Sequence, residues 1–142
     1  DVNEAGWDIV EYQRRTEVAY FVDYLPEIID YYSHNLDGSY VTVTYGRQPT
    51  ALMYFIDYKV VDLRQGVGQY DFLRSNDTEV LLSGLSGSDI KYFLVPLSKA
   101  TWYDAYLENK DRFLLFGLIE EGQHFESVKN FTCYELYRFV EP

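Results

Sequence analysis

The stretch Asp37-Gly38-Ser39-Tyr40-Val41-Thr42-Val43-Thr44-Tyr45-Gly46 constrains the fold more than any other part of the chain. A turn pair opens it, a strict period of two follows, and a glycine closes it. Successive side chains of a strand point to opposite faces, so Val41, Val43 and Tyr45 share one side, and Tyr40, Thr42 and Thr44 the other. The expectation is that Val41, Val43 and Tyr45 face inward. A slip of one residue would exchange the two sets.

Further segments repeat this pattern. Gly6-Trp7-Asp8-Ile9-Val10-Glu11-Tyr12 reads as a first strand, and residues 51–63 as the longest, with Leu52, Tyr54, Ile56, Tyr58 and Val60 on one side. Shorter strands are predicted near 69–74, 79–83, 90–97, 101–107 and 112–119, separated by hairpin-length polar breaks such as Ser75-Asn76-Asp77 and Glu108-Asn109-Lys110-Asp111. Strands at such spacing imply an antiparallel meander. The predicted fold is therefore mostly β: an up-and-down antiparallel barrel of about eight strands with a short helical segment, or alternatively a β-sandwich of the jelly-roll kind. Residues 16–36 read as a long connection broken by Pro26, and residues 123–140 as either a short helix or a ninth strand.

The 142 residues carry no repeat or linker and are read as one domain, 1–142. A hydrophobic content of 47% suffices for a real core despite a net charge of −11. That charge repels phosphate backbones and anionic membrane surfaces, so neither nucleic acid nor a membrane is an expected partner. No apolar run is long enough to span a bilayer. Cys133 is the single cysteine. It is expected as a small buried side chain, with a dimer through a Cys133 disulfide as the alternative. The start, Asp1-Val2-Asn3 without Met, reads as a mature or trimmed product. Two sequons, Asn76-Asp77-Thr78 and Asn130-Phe131-Thr132, support a secreted, extracellular glycoprotein with glycans on Asn76 and Asn130; Asn76 lies in a polar stretch, and Asn130, among apolar residues, is the weaker site.

The order of these features resembles that of the lipocalins. The start Gly6-Trp7 is similar to the Gly-x-Trp motif of that family, residues 16–36 to its lid loop, the strand after Gly38 to its second strand, and residues 106–117 to its tight acidic turn. The resemblance implies a barrel closed at one end by Trp7 and a transport role for a small hydrophobic ligand. The chain departs from the family in having one cysteine and no Arg directly after the last predicted barrel strand.

In such a barrel, Val41, Val43, Tyr54, Ile56, Tyr58, Phe93 and Trp102 would line a cavity, with Asp104 beside Trp102 offering a carboxylate to an amine. Asp57, Tyr103 and Tyr106 belong to the same aromatic and acidic set, and the alternative is that all these residues fill a core or sit in solvent. No cofactor or metal site is expected, because His34 and His124 have no partner at ligand spacing. Gln65-Gly66-Val67-Gly68 lacks the Gly-Lys-Ser of a phosphate loop, and no nucleophile elbow or zinc-protease motif occurs, so an enzyme is not expected. The expected function is a secreted protein that sequesters or carries a small hydrophobic or amine ligand. The alternative is an extracellular protein–protein interaction module without such a ligand.

Overall fold

The computed structural model describes residues 22–51 and 56–141. Helix α1 spans Leu25–Asn35, followed by strands β1 (Val41–Thr44) and β2 (Lys59–Asp62). A 3-10 segment over Gly68–Arg74 leads to α2 (Thr78–Ser86) and β3 (Ile90–Pro96). Helices α3 (Tyr103–Asn109) and α4 (Leu114–Glu121) precede a hairpin of β4 (Phe125–Asn130) and β5 (Tyr134–Phe139).

The strands form one open sheet in the order β2-β1-β3-β5-β4. β1 pairs parallel with both β2 and β3, while β5 lies antiparallel between β3 and β4. Parallel neighbours cannot be joined by a tight turn, so crossover segments must cover the sheet faces. The chain does not close into an antiparallel barrel, and the lipocalin-like, eight-stranded expectation is corrected on this point, as is the jelly-roll alternative.

Several predicted strands are helical. Residues 79–83 lie in α2, where the Asp77 carboxylate accepts from the N–H groups of Glu79 at 2.9 Å and Val80 at 3.3 Å. Leu81 and Leu85, four apart, are the buried side of that helix. Of residues 112–119, 114–119 lie in α4, which buries Leu115, Phe116, Leu118 and Ile119 and ends at Gly122 in the left-handed region (φ 76°). Residues 101–107 run into α3, and 69–74 form the 3-10 segment. Of the long 51–63 strand, residues 59–62 are β2. Short apolar runs of four to eight residues fit either a strand or a buried helix face, and here tertiary packing chose the helix. Within 16–36, α1 carries Leu25, Ile28, Ile29 and Tyr32 inward, and Pro26 is tolerated because its missing N–H falls in the first turn.

β1 is covered on both sides. Val41, Val43 and Tyr45 pack into one core with Phe93, Leu81, Leu85 and the α4 residues. α1 builds the opposite core with Tyr58, Tyr92, Leu94, Tyr134 and Leu136. Thr42 and Thr44 are also buried, at 0% and 1% exposure. Their hydroxyls are satisfied there: Thr42 shares a 2.9 Å hydrogen bond with the Tyr32 hydroxyl, and Thr44 donates to the Leu94 carbonyl at 3.2 Å. The inward set expected from the sequence is thus in a core, but the other face is no solvent face.

Two outcomes follow from this packing. A Cβ at Gly84 would lie 2.3 Å from the Phe72 ring, so Gly84→Ala must displace a side chain near its root. The overpacking outweighs the gain in helix propensity, and urea unfolding should show a loss of about 1–3 kcal/mol. Burial pushes the phenols of Tyr32, Tyr106 and Tyr134 well above the ordinary tyrosine range. The unfolded chain therefore releases these protons first. Stability should hold below the unfolded tyrosine pKa near ~10 and fall above it, by about 1.4 kcal/mol per pH unit for each such residue, in urea midpoints measured from pH 8 to 11.

Candidate functional site

β1, β2 and β3 run in the same direction, so their carboxyl ends meet at one edge. β1 has β2 on one side and β3 on the other, and the chain must change sides between them. Open α/β sheets bind ligands in the crevice outside the carboxyl ends at such a switch point. The residues delivered there are Gly46 after β1, Asp62 and Arg64 at the end of β2, and Trp102 in the turn between β3 and α3.

These residues form a compact unit. The Asp62 carboxylate is buried and accepts from the Arg64 backbone N–H at 3.0 Å, from Arg64 Nε and Nη2, and from the Gly46 N–H at 3.3 Å. The Arg64 guanidinium lies 4.1 Å over the Trp102 ring, a stacked cation–π contact. Gly46 has φ 137°, and a Cβ there would come 3.1 Å from the Trp102 ring. Only glycine allows both that backbone and the close approach of the indole. Trp102 Nε1 is buried without a hydrogen-bond partner among the described residues.

A second carboxylate secures the turn that carries Trp102. Asp23 accepts from the Thr101 N–H at 2.9 Å, the Thr101 hydroxyl at 2.8 Å and the Tyr134 hydroxyl at 2.9 Å. Asp23 and Tyr24 both adopt left-handed backbone, with φ 60° and 56°. That conformation costs about 1–3 kcal/mol per residue and persists where surrounding bonds fix it. The Leu97 N–H donates to the Cys133 carbonyl at 2.8 Å, tying the same turn to the β4–β5 hairpin.

The unit offers a flat cation backed by an aromatic ring. One edge of the guanidinium is engaged by Asp62, and its fork geometry suits a planar or anionic polar group on the other edge. Trp102 already carries a cation of the chain itself. Among the described residues no group of three or more His, Cys, Asp or Glu could hold a metal ion, and no helix is long and apolar enough to cross a membrane.

The residues read as a cavity lining are not gathered in one place. Val41, Val43 and Phe93 are in the core beneath α2 and α4. Tyr58 is in the opposite core, with Ile56 packed against it, and the Tyr58 hydroxyl donates to the carbonyls of Tyr32 and Leu36. Trp102 is at the carboxyl edge, half-buried. Asp104 is exposed on α3, and Asp57 is exposed with φ 54°. Tyr103 is half-buried, and Tyr106 is in the first core. Tyr54 and Trp7 lie outside the described residues. Asn76 and Asn130 are exposed. Cys133 is 2% exposed, and burial, with Asp23 and Glu27 nearby, pushes its thiol upward.

Sequence reasoning missed Asp62 and Arg64, and took Gly46 only as a turn. The signal available was Val60-Val61-Asp62-Leu63-Arg64, an apolar run ending in two opposite charges two residues apart.

No family model matches the chain, and no curated protein matches it in sequence. Among solved structures it is similar to the C-terminal globular domain of an oligosaccharyltransferase from Archaeoglobus fulgidus, with 14% identity and a TM-score of 0.54. The match covers 80% of this chain and 95% of that domain. At this identity the likeness is one of fold. It replaces the lipocalin resemblance, for which neither the sheet nor the comparisons give support, and with it the barrel and transport description.

Asp62→Ala removes the buried carboxylate that the part-exposed Arg64 pairs with and leaves the Gly46 N–H without its acceptor. Urea unfolding should show a loss of about 1–3 kcal/mol. The same variant should release the Arg64 stack, read as a change in fluorescence of the Trp102 indole in a Trp7→Phe background.

Proposed function

We propose that this chain is an extracytoplasmic, non-catalytic interaction domain of an oligosaccharide-transfer system. The observation that carries the reading is the likeness in fold to an oligosaccharyltransferase globular domain, which extends over nearly all of that domain. The packing supports it as well. Both faces of the sheet are filled by side chains, and the clefts found among the described residues are surface grooves of about 200–430 Å³. On this reading the carboxyl edge, where Arg64 and Trp102 are half-buried over the buried Asp62, is the contact surface. Its rigidity comes from the Asp23 bonds to Thr101 and Tyr134 behind it. The acidic surface keeps anionic lipid headgroups away from the rest of the domain.

The test uses the intact gene product, purified from its source cells in mild detergent. Transfer of oligosaccharide from a lipid-linked donor to an acceptor peptide should accompany it. Arg64→Lys, which keeps a cation beside the buried Asp62 but loses the planar fork, should lower that transfer at least about fivefold while the circular dichroism spectrum stays unchanged. A preparation without transfer activity would overturn the proposal. So would native mass spectrometry showing a stoichiometric small hydrophobic or amine molecule bound to the chain.

A further inference from the structure

The sequence already favours Asn76, in a polar stretch, over Asn130, among apolar residues, and the fold supplies a physical reason for that order. We infer that Asn76 is the glycan-accepting residue of the folded chain and that Asn130 is not, because only the first sequon can leave the surface without disturbing a core. The reaction joins Asn76 Nδ2 to C1 of a sugar carried on a polyprenyl diphosphate. The bond from C1 to the diphosphate oxygen breaks, the diphosphate departs with the electron pair, and the amide nitrogen loses one proton. Because the motif requires both the Asn amide and the Ser or Thr hydroxyl two residues on, all three residues must reach the enzyme together.

Asn76, Asp77 and Thr78 are all exposed. The residues on either side of Asn76 are already extended, Ser75 at φ −68°, ψ 143° and Asp77 at φ −104°, ψ 117°. Thr78 is the first residue of α2, so presenting it requires the first turn to open. The bonds lost are those of the Asp77 carboxylate to the N–H groups of Glu79 and Val80, of the Leu81 N–H to the Asp77 carbonyl, and of the Asp77 N–H to the Ser75 hydroxyl. None of them holds a buried side chain in place at the sequon itself. Helix ends fray readily, and the buried residues of α2, Leu81 and Leu85, lie further along.

The second sequon is held at each position. Asn130 is in register with Glu135 in the β4–β5 ladder. Phe131 is 4% exposed in the core under α1, edge-on to Tyr31 at 5.7 Å, and its N–H donates to the Tyr134 carbonyl at 2.8 Å. The Thr132 N–H donates to the Glu27 carboxylate of α1. Presenting Asn130 therefore means withdrawing a buried aromatic ring and detaching the hairpin from the helix.

The experiment incubates the full, folded chain with an oligosaccharyltransferase and its lipid-linked donor, and follows each site by peptide mass spectrometry. Synthetic peptides of residues 72–82 and 126–136 report each sequon without the fold. In the folded chain Asn76 should be modified roughly tenfold or more faster than Asn130, the scale set by one buried aromatic side chain, while the two peptides differ far less. Phe131→Ala, read in protein that keeps its native circular dichroism, should raise modification at Asn130 and leave Asn76 unchanged. The inference is overturned if Asn130 is modified as fast as Asn76 in the folded chain. It is equally overturned if Asn76 stays unmodified, or if the peptides show the same preference as the folded chain.

Discussion

The parallel pairing of β1 with neighbours on both sides governs the rest of this structure. A strand so placed can be reached only by crossovers, and the crossovers must lie on the sheet faces. That requirement turns the segments between β2 and β3 and between β3 and β4 into covering layers. It also explains the composition of β1 itself. Val41 and Val43 meet α2 and α4, while Thr42 meets Tyr32 of α1, so both faces are dry and every buried hydroxyl there has a partner. Threonine fits this role because it is β-branched like valine and can still close a short hydrogen bond.

The same pairing creates the candidate site. Three parallel strands end together, and the loops that leave them diverge around a crevice. Gly46, Asp62, Arg64 and Trp102 are separated by up to 56 positions (102 minus 46), yet one carboxylate and one indole hold them in contact. Asp23 extends this arrangement across the sheet, since it bonds both the turn before α3 and the first residue of β5. Two left-handed residues in succession are tolerated at Asp23 and Tyr24 because those three hydrogen bonds fix the backbone there.

Much of the local structure could be read from the chain. The strand expected at 39–45 is present as Val41–Thr44 with Val41 and Val43 in a core, and that expected at 90–97 as Ile90–Pro96, but both are buried on both faces instead of alternating. The interior of the chain was harder, for a physical reason. In α2 the run Glu79-Val80-Leu81-Leu82-Ser83 is a short apolar stretch between polar residues that fits a buried strand as well as a helix, and the helix is decided by the Asp77 cap and by Leu81 and Leu85 meeting the sheet. In α4, Leu115, Phe116, Leu118 and Ile119 are apolar at spacings shared by a buried strand and a helix face. Reading these as strands supplied the count for a barrel, into which the motif order that resembles the lipocalins then fitted. Among the site residues, Trp102 was singled out for its ring. Its actual partner, Arg64, comes from another strand end, and no spacing along the chain connects them.

The sequence by itself determined a hydrophobic content sufficient for a core, a net charge of −11, the β1 strand with its valine side turned inward, and two sequons. These depend on neighbours within a few residues, where backbone sterics and side-chain alternation act. Only the tertiary structure decided that the sheet is open and mixed, that both faces of β1 are buried, and that Asp62, Arg64, Trp102 and Gly46 meet. The apolar neighbours of Asn130 already marked it as the weaker sequon, and tertiary packing added that Phe131 ties it to a core while Asn76 is exposed. Each of these outcomes rests on contacts between residues far apart in the chain, and a local pattern carries no record of which distant segment will cover it.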